Sequence, residues 1–207
     1  MLIAPIVLPI EQRAALEAAY ATPPRPYHNM RHVDAVLEHY GDLASGPGWT
    51  DAAEVFVAVL YHDAIYKAGR KDNEARSAEL AIAHIARWLP DAGIDVVRVA
   101  ELINLTARHG QLTPTDFGND ARSLDSRHFL DCDMAILGAE PSAFDAYDRG
   151  IAAEYRGHVP AFVYRLNRRR FLKKLLGRER IFLSEFFHDR FDAAARSNLR
   201  RAINEKR

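Results

Sequence analysis

The stretch AAEVFVAVLYHDAIY, residues 52–66, is apolar on nearly every side of a helix and carries a histidine beside an aspartate, His62 and Asp63. A helix with almost no solvent face belongs at the centre of a protein, walled in by other helices. A polar pair placed there costs free energy unless hydrogen bonds or a metal ion compensate it. Carboxylates in particular almost never sit in such surroundings unpaired.

The rest of the chain supplies the walls. Apolar positions recur every three or four residues along most of its length, and no series of alternating strands with hairpin turns interrupts them, so the pattern predicts an all-α protein. A first helix is expected over 10–21, stopped by TPPRPY, whose three prolines remove backbone donors and favour extended conformations. A second runs from about His28 to Leu43, the third from Asp51 to about Tyr66, and a fourth from KDNEARSAEL to Pro90. The fifth covers about Ile94 to His109, with Gly110 as its C-cap. Two more helices flank Gly138 and Pro141, and amphipathic helices follow from Pro160 onward.

Length and charge narrow the function classes. With 207 residues and no linker rich in Gly, Ser or Pro, the chain reads as a single helical domain with a C-terminal helical extension. Lys and Arg total 28 against 28 for Asp and Glu, which gives no long-range attraction for nucleic acid or an acidic membrane. The single cysteine, Cys132, excludes an internal disulfide and a Cys-rich zinc site, and a reducing compartment, the cytoplasm, is the expectation. The start MLIAPIVLPI lacks a basic region and is broken by Pro5 and Pro9, unlike a signal peptide. No segment reaches the roughly 18 uninterrupted apolar residues of a membrane span.

Three further features bear on the His62–Asp63 pair. His28 and His32 in YHNMRHV are spaced i, i+4, which on a helix puts both imidazoles on the face shared by Val36. That is a ligand spacing, although a solvated helix edge or a core histidine produces it too. His62 and Asp63, as neighbours, point about 100° apart on a helix, so both reach one ion only where the helix lies alongside the site. In HFLDCDMAILG, Asp131 and Asp133 sit within an apolar helix, and Asp133 is three residues from Leu130 and four from Leu137, on the interior side. A buried aspartate there needs a cation, an arginine or several donors.

The ordered pattern H…HD…D, carried by YHNMRH, YHDAIY, DNEARSA, LTARH and LDCDMAILG, resembles the HD superfamily of metal-dependent phosphohydrolases, most closely a bacterial branch of it. The resemblance is strong over residues 27–138, and EYRGHVPAFVYRLNRRRFLKKLL with AARSNL looks like the same branch's C-terminal region. It implies an HD-type helical bundle in which His32, His62, Asp63 and Asp133 hold a divalent metal, with Asp131 behind them. Two imidazoles and two carboxylates suit Mn, Fe, Co, Ni or Zn, and Mg where phosphate supplies oxygens. The implied activity is hydrolysis of a small phosphoester, a nucleotide or related phosphate; neither nucleic acid nor membrane is an expected partner, and a homo-oligomer is left open.

Other residues join as candidates. Asp63 also stands to orient a metal-bound water. Glu74, at the start of the fourth helix, is a candidate for proton transfer, or simply a favourable acid at a helix N-terminus. His109, which ends LTARH, is a candidate proton donor, phosphate contact or second-metal ligand; a cation at a helix C-terminus is the plainer explanation. His28 would line the pocket. His84 with His109 would complete a second metal site, as in the two-iron oxygenases built on HD scaffolds, although His84 lies in AELAIAHIARW, where a core or half-exposed histidine is the more frequent case. A non-catalytic metal- or nucleotide-binding module is the third reading. The basic run RLNRRRFLKK, Arg165 to Lys174, is expected on an amphipathic helix with Phe162, Leu166, Leu172, Leu175 and Leu176 inward, and nothing in it singles out an arginine for substrate phosphate. Cys132 reads as a small buried apolar residue.

Overall fold

The computed structural model describes residues 4–204, and all its regular structure is helical. The helices are α1 (Ile10–Ala21), α2 (Met30–Ala44), α3 (Ala52–Tyr61), α4 (Asn73–Trp88), α5 (Val96–Thr106), α6 (Ala121–Met134), α7 (Pro141–Glu154), α8 (Ala161–Leu176) and α9 (Glu185–Asn204). Short 3-10 turns cover Pro114–Asp116 and Ala135–Gly138. Among the described residues no strand forms, and no helix is long and apolar enough to cross a membrane.

Helix α3 occupies the centre, as its composition requires. Every residue from Val55 to Tyr61 is buried, and α2, α4, α5 and α6 all pack on it. Burial of the Val, Leu and Phe side chains among them contributes about 1.5–3 kcal/mol each relative to exposure. The surrounding helices present their apolar stripes to it: Val33, Val36, Tyr40 and Leu43 from α2, Ala78, Ala81 and Ile85 from α4, and Val99, Leu102 and Ile103 from α5. Helix α1 is fastened by polar links as well, for Tyr20 donates to the Leu60 carbonyl and Gln12 to the Tyr61 hydroxyl, both at 3.0 Å.

The C-terminal helices are part of the same core. Helix α9 lies against the 3-10 turn that follows α6, and Asn198 donates to the Leu137 and Ala139 carbonyls at 3.0 and 2.8 Å. The approach is so close that a Cβ on Gly138 would fall 2.7 Å from the Phe191 side chain and 2.8 Å from its carbonyl oxygen. Only glycine permits that contact. Most of the buried apolar residues accordingly form one contiguous cluster from Leu8 to Leu199.

Four expectations are corrected in detail. Helix α2 begins at Met30, with the Asn29 side chain capping it through the Arg31 N–H, so His28 precedes the helix instead of sharing a face with His32. Helix α3 ends at Tyr61, and His62 to Tyr66 form a turn. Gly110 is not a left-handed cap: it lacks a positive φ, and a Cβ there would lie 2.8 Å from the Phe171 ring, so glycine serves close packing against α8. On α8 itself Leu172 and Leu175 are buried, whereas Phe162 and Leu166 are 67% and 48% exposed. The inward stripe instead starts at Tyr164 and passes through Arg168, both of which line a cavity.

Candidate metal centre

The early end of α3 is what lets the doublet converge. Once the chain leaves the helix at His62, the carbonyls of Asp63 and Ala64 have no helical partner, and the Arg25 guanidinium donates to both, at 2.6 and 3.2 Å, while also bonding the Ala19 carbonyl. Ser77 of α4 pins the same turn from the other side, accepting from the Ile65 N–H at 3.0 Å and donating to the Ile65 carbonyl at 3.2 Å. Asn73 does the same for Lys67, accepting from its N–H and donating to its carbonyl at 3.0 Å each. The conspicuous DNEARSA segment thus works here as a brace for the doublet. Arg25, sixth from Ala19 and far from His62 in sequence, has no local signature of that role.

Four side chains meet where this turn faces α2 and α6. The Nε2 atoms of His32 and His62 are 3.0 Å apart. Asp63 Oδ2 lies 3.5 Å from the His32 nitrogen and 3.2 Å from the His62 nitrogen, and Asp133 Oδ1 lies 3.2 and 3.7 Å from the same two atoms. Adjacent donors of an octahedral ion with bonds of 2.0–2.1 Å are about 3 Å apart, so the spacing of His32, His62 and Asp63 is that of a metal-ligand group. Asp133 lies outside that three-residue group but next to both imidazoles, and with it the nitrogen and oxygen atoms would suit a first-row divalent metal.

The tautomer of His62 fits as well. Its Nδ1–H donates to the Val59 carbonyl at 2.8 Å, which leaves the Nε2 lone pair directed at the cluster. Burial acts to lower the His32 imidazole, but Asp133 and Asp63 outweigh it and push the ring up to about 9. Burial likewise acts to raise Asp133, yet His109, His32 and His62 hold its carboxyl well below the usual range. Asp63 is held low in the same way, by His62 first and then His28 and His32.

A cavity of about 210 Å³ opens on this cluster. His109, in the turn beyond α5, has Nδ1 2.8 Å from Asp133 Oδ2, close enough for an ion pair but off the line of an N–H···O hydrogen bond. Glu74, from the first turn of α4, and Thr106 line the same cavity. His28 reaches it from the segment before α2, stacked on Tyr66 at 4.0 Å. Its Nδ1–H donates to Glu154 at 2.6 Å, and its Nε2 lies 3.9 Å from Asp63.

Glu154, on α7, escaped the sequence reading. It also accepts the Tyr27 and His28 backbone N–H groups at 2.8 Å each, and so fixes the whole approach to α2. A signal was present: Glu154 falls three residues after Ile151, on the buried side of α7. Two other expectations are not met. His84 is not brought to the cluster, for its Nδ1 is 3.0 Å from the Tyr61 hydroxyl and its ring packs edge-on against Trp88. Asp131 does not stand behind the ligands. It accepts the Leu183 and Ser184 N–H groups at 2.7 Å and the Ser184 hydroxyl at 2.6 Å, so it anchors the start of α9.

No protein-family model, no curated protein and no solved structure matches this chain.

Proposed function

We propose that the protein is a metal-dependent phosphohydrolase acting on a small phosphoester, with His32, His62, Asp63 and Asp133 as the donors for one divalent ion. The observation that carries the reading is the convergence of two imidazole nitrogens 3.0 Å apart with two carboxylates, of which His62, Asp63 and Asp133 line a cavity. A divalent cation there would lower the pKa of a bound water and polarise a phosphoryl oxygen. The chain's own groups supply the rest. His109, 35% exposed and paired with Asp133, is the proton donor for the leaving oxygen. Glu74 faces the same space as an acid that can take a proton from water. The Glu154 carboxylate orients His28 toward the reacting side of Asp63.

The resemblance to HD phosphohydrolases points the same way, and the cavity offers donors for an anion in His109 and Arg168. The two-iron alternative needs His84 beside His109, and His84 is engaged with Tyr61. The test is elemental mass spectrometry on tag-free protein purified without chelator and without oxygen, followed by a phosphoester screen with the ion found. About one Mn, Co, Ni, Zn or Fe per chain, lost in a His62→Ala, Asp63→Ala variant, with turnover of a phosphomonoester, is the expected outcome. Full metal content in that variant would falsify the ligand assignment. Two irons with oxygen-dependent turnover would replace the hydrolase by an oxygenase, and metal with ligand binding but no turnover would leave a binding module.

A further inference from the structure

Arg168 is the one member of the basic run that turns inward. Arg165, Arg169, Arg170, Lys173 and Lys174 are exposed, whereas the Arg168 side chain is 13% exposed and lines the cavity above the metal donors. Its guanidinium is held in place from three sides. Nε donates to Asp148 Oδ1 at 2.9 Å, and the group lies 4.9 Å from the Tyr147 ring and 5.6 Å from the Phe171 ring. Its Nη2 is buried and makes no hydrogen bond of regular geometry among the described residues, although the Tyr147 hydroxyl also stands against the guanidinium. A buried guanidinium N–H left unpaired costs free energy that the fold has no reason to retain.

The space beside it explains the retention. A second cavity, of about 320 Å³, is lined by Ile151, Tyr155, Val159, Tyr164, Asn167, Arg168 and Phe171, and it shares Ile151, Tyr155, Arg168 and Phe171 with the cavity over the metal donors. Arg168 therefore stands at the junction of the two. Tyr155 and Tyr164 form a tilted aromatic pair in the side chamber, 5.4 Å between ring centres. The Tyr164 hydroxyl is a second buried polar group without a partner. Burial pushes it up to about 12, so it remains an O–H donor at neutral pH. One wing of the combined space thus has metal donors beside the Arg168 guanidinium, and the other has flat apolar walls around the buried Tyr164 hydroxyl.

We propose that Arg168, which lines both cavities, binds a phosphoryl oxygen of the substrate through its guanidinium, and that the chamber of Tyr155, Tyr164 and Phe171 receives a flat ring on the leaving group. A phosphomonoester with a planar aromatic or heteroaromatic leaving group satisfies both wings at once: the guanidinium meets the anion, and the Tyr164 hydroxyl meets a ring heteroatom. The substrate class rests on the phosphohydrolase reading; the anion site at Arg168 does not.

The experiment separates the two. Metal-loaded wild type, Arg168→Gln and Arg168→Lys are titrated with inorganic phosphate by calorimetry, and kcat and KM are measured on 4-nitrophenyl phosphate and glycerol 2-phosphate. Arg168→Gln is expected to weaken phosphate binding and to raise KM by about 30-fold, the size of one lost charge-assisted bond, at unchanged metal content. Arg168→Lys is expected to recover part of the loss, because the charge returns without the planar fork. Tyr155→Leu and Tyr164→Phe are expected to lower the aryl-over-alkyl ratio of kcat/KM about tenfold and threefold, respectively, with little change in phosphate affinity. Wild-type phosphate affinity in a folded Arg168→Gln protein overturns the anion site. An unchanged aryl-over-alkyl ratio in both tyrosine variants overturns the chamber. A wild type that binds phosphate through Arg168 but hydrolyses neither ester removes the phosphohydrolase reading and leaves the anion site standing.

Discussion

Asp131 and Asp133 stand two residues apart on α6, both largely buried, and the chain uses them in opposite ways. Asp131 is surrounded by neutral donors: two backbone N–H groups and a hydroxyl, all from the segment that starts α9. Asp133 is surrounded by imidazoles, with His32 at 3.2 Å, His62 at 3.7 Å and His109 at 2.8 Å. A step of two residues turns a helix by about 200°, so the two carboxylates leave α6 on opposite sides. What they teach is that burial alone does not identify a functional carboxylate. A carboxylate whose lone pairs are taken by fixed backbone donors is structural, because no ion could enter without breaking those bonds. One whose neighbours are imidazoles keeps lone pairs that no fixed backbone donor occupies, and a cation could reach them.

The largest expected effect breaks the comparison at Asp133. Asp133→Asn keeps the shape of the side chain but removes a ligand charge, and should abolish stoichiometric metal and lower turnover by about 10³-fold while helix content persists. Elemental analysis beside far-UV circular dichroism reads both. At Asp131 the damage should be to stability. Asp131→Ala leaves three buried donors unpaired and is expected to cost about 3–5 kcal/mol in urea unfolding, with metal per folded chain unchanged. Were the alanine at 131 to strip the metal instead, the division of labour between the two aspartates would be wrong.

Metal itself sharpens the contrast. At a hundredfold excess over its Kd, a bound ion should stabilise the wild type by about 2.7 kcal/mol, and Asp133→Asn should show no such gain in a thermal-shift titration. A pH effect is expected from His128, on the same helix, whose buried ring is pushed down to about 4, by burial first and then by Arg127. A histidine neutral in the folded state and near its ordinary value when unfolded contributes stability above pH 6.5 that is lost as pH falls toward 4. His128→Leu should therefore gain stability relative to wild type on acidification, on the order of 2 kcal/mol between pH 7 and 4. The smallest effect is reserved for His84→Ala, which should cost under about 1 kcal/mol through its bond to Tyr61 and leave metal content intact. Loss of metal there would revive a two-ion site.

Legibility in the sequence was uneven, and the errors cluster near the site. Helix α1 falls where the periodicity and the prolines of TPPRPY put it. Periodicity overruns α2, α3 and α5 at their ends next to the donors: Asn29 caps α2 locally, α5 closes on its own last-turn carbonyls, and the turn after α3 is held largely from a distance. Arg25 caps the turn after α3, Ser77 and Asn73 brace it, and Glu154 holds the approach to α2. Of these partners only Asn73 lies close in sequence to the group it holds.

The sequence by itself determined the helical class, the central place of α3 and the residue types gathered around it, since apolar period and buried charge are properties of a segment and its own axis. Only the tertiary structure decided which aspartate meets imidazoles and which meets backbone, that His84 belongs to Tyr61, and that Arg168 alone turns toward the cavity. Helical phase gives the direction in which a side chain leaves its axis. What waits there is set by how other helices cross, and that depends on the packing of the whole core.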